Sequence, residues 1–200
     1  MPEATRKTVE SYPRQAEIGE ERTVLLRLMK RSDRDRVVDF ARALPSRDLL
    51  FLRKDITDPK VVDEWVRDIE GGRTVTVLAE KDGELLAYGS LWLDETFWGR
   101  DKGEIRVQVS AGWRGLGLGL LLASEVFAIA KDLGLERIIA RLTKEQERTR
   151  AILERLGFTQ VAVLRDFVLD RDGKPHDLLV MSAGIGHLTE TEAIAMWQRS

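Results

Sequence analysis

Between residues 104 and 133 the chain passes from a strand pattern to a helix pattern through three alternating glycines, Arg114-Gly115-Leu116-Gly117-Leu118-Gly119. Glu104-Ile105-Arg106-Val107-Gln108-Val109 reads as a strand, and Leu118 to Leu133 as a long apolar-faced helix closed by Gly134. Residues without Cβ atoms allow unusual φ values and let a ligand approach the backbone. A helix N-terminus leaves amides unpaired, and these together with the helix dipole favour a phosphate. Arg114 adds a cation at the rim, of a kind suited to phosphate contact. Two readings stay open on these residues alone: a phosphate cradle, or a tight turn that packs helix against sheet. Two familiar phosphate loops do not fit. Leu120 and Leu121 stand where a Walker A loop needs Lys and Ser/Thr. The spacing is G-x-G-x-G after several strand patterns, not G-x-G-x-x-G after a first strand.

The rest of the chain sets this junction in a mixed α/β order. Residues 1–22 read as a charged N-terminal arm, followed by a strand at Thr23 to Met29. Ser32 or Asp33 is placed to cap a helix through Val37, Val38, Phe40, Ala41 and Leu44, and Pro45 ends it. A second helix over Pro59 to Ile69 buries Val61, Val62, Trp65 and Val66 and stops at Gly71-Gly72. Strands at Thr74 to Ala79 and Glu84 to Leu93 flank Asp82-Gly83, a hairpin signal. After the glycine run and its helix come a strand at Arg137 to Leu142 and a helix from Lys144 to Leu156 closed by Gly157. Strands near 158–169 and 176–181 follow, joined by the turn Asp170-Arg171-Asp172-Gly173. Residues 23–184 read as one domain, and residues 185–200 as a C-terminal extension with a helix over 188–198.

Composition removes several classes of function. There is no cysteine, which excludes disulfides, thiolate metal sites and cysteine nucleophiles, and fits a cytoplasmic location. Only His176 and His187 are present, so no metal centre is expected. Net charge is −2, which gives no global attraction to nucleic acid or membrane. No apolar run approaches the roughly 20 residues that span a bilayer, and residues 1–21 lack the apolar core of a secretory signal.

The glycine run resembles the signature Q/R-x-x-G-x-G/A of the GNAT superfamily of N-acetyltransferases, matching at Arg114, Gly117 and Gly119. A second match, Glu154-Arg155-Leu156-Gly157-Phe158, resembles the end of that family's fourth helix. The resemblance covers about residues 23–181, including the order of elements. It implies an α/β (α+β) GNAT fold, with a mixed, mostly antiparallel sheet of about six to seven strands flanked by helices. It implies acetyl transfer from acetyl-coenzyme A to an amine by direct attack in a ternary complex, with acetyl-coenzyme A as cosubstrate and no metal. The pyrophosphate then rests on the amides of Arg114, Gly115, Leu116, Gly117, Leu118 and Gly119. The pantetheine arm pairs with the backbone of Val107, Gln108 and Val109, and Gln146 stands where the family carries an asparagine that meets the coenzyme.

Glu104 is the candidate general base, because a protonated alkyl amine must lose a proton before it attacks. Leu153 occupies the position of the family's tyrosine acid, which leaves water to protonate the departing thiolate. That departure supports a second reading, a coenzyme A-binding regulatory or sensor module with little turnover. The resemblance places the acceptor site at residues 33–69, 92–103 and 165–178. Trp92, Phe97 and Trp98 are candidate walls there, Asp94, Glu95 and Asp101 candidate attractors of a cationic amine, and His176-Asp177 a further candidate. The acceptor is a small-molecule or protein amine, and the chain a monomer or homodimer.

Overall fold

Three consecutive antiparallel pairings build the first half of the sheet, the first and third across short connections and the second across residues 29–73, which carry helices. The computed structural model describes residues 10–19, 22–49, 52, 54–94 and 96–187. Strand β1 (Arg14–Ile18) pairs with β2 (Arg22–Leu28), which pairs with β3 (Thr74–Lys81). The Asp82-Gly83 turn, with φ of 50° and 82°, then returns β3 into β4 (Glu84–Leu93). β5 (Lys102–Val109) pairs antiparallel with β4 and parallel with β6 (Arg137–Thr143). β7 (Thr159–Leu169) and β8 (Pro175–Gly184) form a hairpin whose β8 inserts beside β6, so the order is β1-β2-β3-β4-β5-β6-β8-β7. Among the described residues the sheet therefore has eight strands, and only β5–β6 is parallel. The eighth is β1, which lies inside the segment expected to be a solvated arm. Its Ile18 is fully buried, and its flank is stapled to a helix through Tyr12, whose hydroxyl donates to Glu125 at 2.5 Å, and through Arg14 on the same carboxylate.

Helices cover both faces. On one lie α1 (Arg34–Arg42) and α2 (Pro59–Glu70). Pro59 opens α2, Asp58 caps it by accepting from the Lys60 amide at 2.9 Å, and Val62, Trp65 and Val66 fill the sheet-facing side. Trp65 donates its indole N–H to Thr76 Oγ1 at 3.1 Å, and Thr76 meets Ser90 at 2.9 Å, so the polar atoms beneath α2 are satisfied. Asp33 precedes α1 without capping it. Its carboxylate instead accepts from the Lys30 amide and from Arg27, whose guanidinium also reaches Glu80.

On the other face lie α3 (Leu118–Asp132) and α4 (Glu147–Arg155). α3 buries residues on nearly all sides, as expected of a helix sunk in a core. It approaches β4 closely at Gly89, where an added Cβ would stand 3.1 Å from the Leu122 carbonyl oxygen. α4 ends where the Phe158 amide returns to the Leu153 carbonyl at 3.0 Å, and the buried Phe158 ring meets Phe127 of α3 edge to face at 5.4 Å. The Leu156-Gly157-Phe158 ending thus ties α4 to α3. The expected helix over 188–198 lies outside the described residues, and Ile185, at the start of the segment read as an extension, is buried in the core.

Candidate active site

The parallel pairing of β5 with β6 runs only from Lys102↔Arg137 to Glu104↔Ile139. Beyond it β5 continues to Val109 on β4, and β6 continues to Thr143 on β8. The two strands therefore diverge, and the outer backbone edge of residues 105–109 faces a wedge rather than a neighbour. Such an edge can take one more extended chain by β-augmentation. Val107 and Val109 turn their side chains into the core under α3, while Glu104, Arg106 and Gln108 point to the α1/α2 face, opposite Trp92, Ser90 and Tyr88 of β4.

The wedge opens onto the glycine run. After a short 3₁₀ turn at Ala111–Trp113, Gly115 and Gly117 take φ of 78° and 85°, and Gly117 is the residue that caps α3. Among the described residues the amides of Gly117 to Leu120 find no acceptor, and they share the positive end of α3. Nothing lies within 4 Å of a Cβ placed on Gly115, so the turn is open on its outer side. This combination fits a pyrophosphate beside an extended arm. Leu118 is buried at 1% exposure, so it can contribute only its backbone.

Arg114 is not turned outward. Its Nε and Nη2 donate to the Val109 carbonyl at 3.1 Å each, and Nη2 donates to Asp48 at 2.5 Å. The guanidinium thus closes the turn onto the end of β5 and ties it to the single helical turn Ser46–Leu49. Gln146 accepts from the Thr143 amide at 2.9 Å through its carboxamide oxygen, which fixes the direction of its NH2 group. Leu153 sits in the core at 5% exposure, so that position presents no acid.

On the α1/α2 face, Glu104 receives Arg106 at 3.0 Å on one carboxylate oxygen and Arg141 at 2.5 Å on the other. Beside it lies a pocket lined by Lys54, Ile56, Val61, Trp65, Tyr88, Trp92 and Arg106. Lys54 and Arg106 stand 5.4 and 5.3 Å from the centroid of the same Trp92 ring. Burial pushes the Tyr88 phenol up to about 12 against the pull of Arg106, so it stays neutral at any working pH.

Of the other acceptor-site candidates, Trp92 lines this pocket, whereas Phe97 and Trp98 are 77% and 89% exposed. Asp94 is engaged by Thr96 through both amide and hydroxyl, and Asp101 by Lys102 at 2.7 Å. These contacts hold both carboxyls below the usual carboxylate range, as parts of the loop's own turns. Glu95 lies outside the described residues. His176 is held between Asp170 at 2.8 Å and Glu145 at 3.0 Å, which raise its pKa, and Asp177 is held by Lys144 and the Asp166 amide. That pair fastens the β7–β8 hairpin to the loop before α4. Sequence reasoning missed Lys54, Arg106 and Arg141 as site residues. Alternation from Glu104 gives Arg106 the same face, but Lys54 and Arg141 arrive only through tertiary pairing.

A sequence model of the Acetyltransferase (GNAT) family matches residues 38–158. A protein of Bacillus subtilis (strain 168) named for phosphinothricin acetyltransfer, YwnH, is 24% identical over 160 residues, 78% of this chain and 96% of its own. Among solved structures, yncA of Salmonella typhimurium, described as an acetyltransferase with its cofactor acetyl-coenzyme A, superposes with a TM-score of 0.71 at 18% identity, covering 87% of this chain and 97% of its own. RimJ of Mycobacterium smegmatis, in complex with CoA-disulfide, does so at 0.72 and 18%, covering 94% and 95%.

Proposed function

The chain belongs to the GNAT acetyltransferase family and is an acyltransferase, and from that premise we propose that it moves an acetyl group from acetyl-coenzyme A to an amine by direct attack in a ternary complex. The observation that carries this reading is the wedge between β5 and β6 leading to a positive-φ glycine turn at the start of α3. The amides of residues 115–119 hold the pyrophosphate, with Arg114 bracing the turn from behind. The edge of β5 at Val107, Gln108 and Val109 holds the pantetheine arm through the backbone groups that Arg114 does not occupy, and the NH2 of Gln146 is available to it from the far wall. Acetyl-coenzyme A supplies an activated thioester. No covalent acyl-enzyme is needed, which agrees with a chain that has no cysteine.

The reaction forms a C–N bond and breaks a C–S bond, so one proton must leave the amine and one must reach the thiolate. We assign the first transfer to Glu104. Arg106 and Arg141 orient its carboxylate, which takes an amine proton directly or through water. Water protonates the thiolate, since position 153 is an aliphatic residue in the core. Amine-dependent thiol release from acetyl-coenzyme A is the expected result. Glu104→Gln should lower kcat about 100-fold and flatten the acid side of the pH–rate profile. An unchanged kcat and profile would remove Glu104 from the mechanism.

A further inference from the structure

The pocket under α2 carries more information about the acceptor than the loops around it. Among the described residues its only charged lining groups are Lys54 and Arg106, and no described carboxylate lines it. Both cations stand over Trp92, whose buried indole N–H has no acceptor among the described residues. An unmet buried donor is uncommon and is satisfied when an oxygen arrives beside it. Tyr88 adds a phenol that stays protonated.

The surrounding charges do not cancel this pair of cations. Glu104 is shared between Arg106 and Arg141, one carboxylate against two guanidinium groups. Lys54 has Glu64 at 3.4 Å and Asp68 at 4.0 Å, and Asp68 is held more closely by Arg73 at 2.8 Å. The pocket is therefore rich in donors and cations, with apolar walls from Ile56, Val61 and Trp65. Arg106 is also the first residue on this face of β5 past the last β5–β6 pair, so the pocket adjoins the mouth of the wedge.

We propose that this pocket binds an oxyanion belonging to the acceptor, so that the substrate class is a small amine carrying a carboxylate or phosphorus oxyanion. This rests on the acetyltransferase reading and narrows it. A polyamine would bring a second cation toward Lys54 and Arg106 and a lysine side chain brings no anion, whereas an amino acid brings its amine together with a counter-charge for them. Carboxylate and phosphorus oxyanions share the recognition chemistry, and the choice of substrates separates them.

The test is steady-state thiol release by the full chain at saturating acetyl-coenzyme A. The acceptors are α-amino acids, their carboxamides, an aminophosphonate and a polyamine. The expected result is a kcat/KM for an acid about tenfold or more above that for its own amide, carried by KM, with either the amino acid or the aminophosphonate preferred. In Lys54→Gln that acid-to-amide ratio falls about tenfold, and Lys54→Arg restores most of it. Lys54 is half-buried at the surface, with 37% of its side chain exposed, and a far-UV circular dichroism spectrum matching the wild type checks that both variants are folded. Amides or the polyamine turning over as well as the acids, or an acid-to-amide ratio unmoved in Lys54→Gln, overturns the oxyanion site while leaving acetyl transfer standing. No thiol release with any amine, by a protein that still binds acetyl-coenzyme A, overturns the transferase reading and this proposal with it.

Discussion

Gly117→Ala weakens acetyl-coenzyme A binding about tenfold or more in a calorimetric titration, while Gly119→Ala stays within about twofold. The contrast follows from backbone geometry. Gly117 caps α3 at φ 85°, a conformation that costs an L-residue about 1–2 kcal/mol. Alanine relieves that strain by rotating the turn, which swings the amides of residues 117–120 away from the anion, and binding must restore them. About 1.4 kcal/mol corresponds to a tenfold change in affinity. Gly119 lies inside the helix, and a Cβ there would stand 3.4 Å from Ile152 Cδ1 and 3.6 Å from Val109 Cγ2, ordinary contact distances. The family signature, which tolerates Gly or Ala at that place, agrees. Equal losses in the two variants would mean that the turn acts through packing and not through its amides.

The second large effect is on stability. Arg27→Met is expected to cost about 3 kcal/mol in urea unfolding at neutral pH, the lower end for breaking a buried ion pair. Arg27 binds Asp33 through two nitrogens at 2.7 and 2.6 Å and reaches Glu80 at 2.5 Å, and the side chains of these acids are only 5% and 9% exposed. Arg36 also touches both acids, at 3.4 and 2.7 Å, which limits the loss. The deficit also has a predicted pH dependence. Burial alone pushes Asp33 up, but hydrogen bonds from Arg27 and the Lys30 amide, with the charges of Arg27 and Arg36, outweigh it and hold the carboxyl below its usual range. A lowered folded pKa contributes stability that is full above the unfolded value of about 3.9 and is lost as pH falls through the folded value. The gap between wild type and Arg27→Met should therefore be widest near neutrality and narrow below about pH 4. A gap independent of pH would place the cost of Arg27→Met in lost packing.

What could be read in the sequence was local. The Asp82-Gly83 hairpin, the glycine turn and the Leu156-Gly157-Phe158 ending each encode their geometry within a few residues, and each forms as the pattern predicts. β1 was missed because Arg14-Gln15-Ala16-Glu17-Ile18 carries one large aliphatic residue, and its strand character comes from pairing with β2. Arg114 shows the limit of a motif. A guanidinium beside a phosphate turn suggests a phosphate ligand, and nothing in the local pattern signals that the fold also brings Val109 O and Asp48 to it. The acceptor side was least legible. The acidic loop looked like an attractor for a cationic amine, but Asp94 and Asp101 are held by their own turn. The charges that line the pocket, Lys54 and Arg106, come from elements far apart in the chain.

In the proposed mode of binding, acetyl-coenzyme A lies along the outer edge of β5 with its pyrophosphate on the turn before α3. Amide hydrogen exchange with and without acetyl-coenzyme A tests it most directly. Slowed exchange is predicted in two stretches together, the β5 amides of residues 105–109 that turn away from β4 and the amides of residues 115–120. Binding that leaves both stretches exchanging at their free rates, with protection appearing elsewhere, would contradict it.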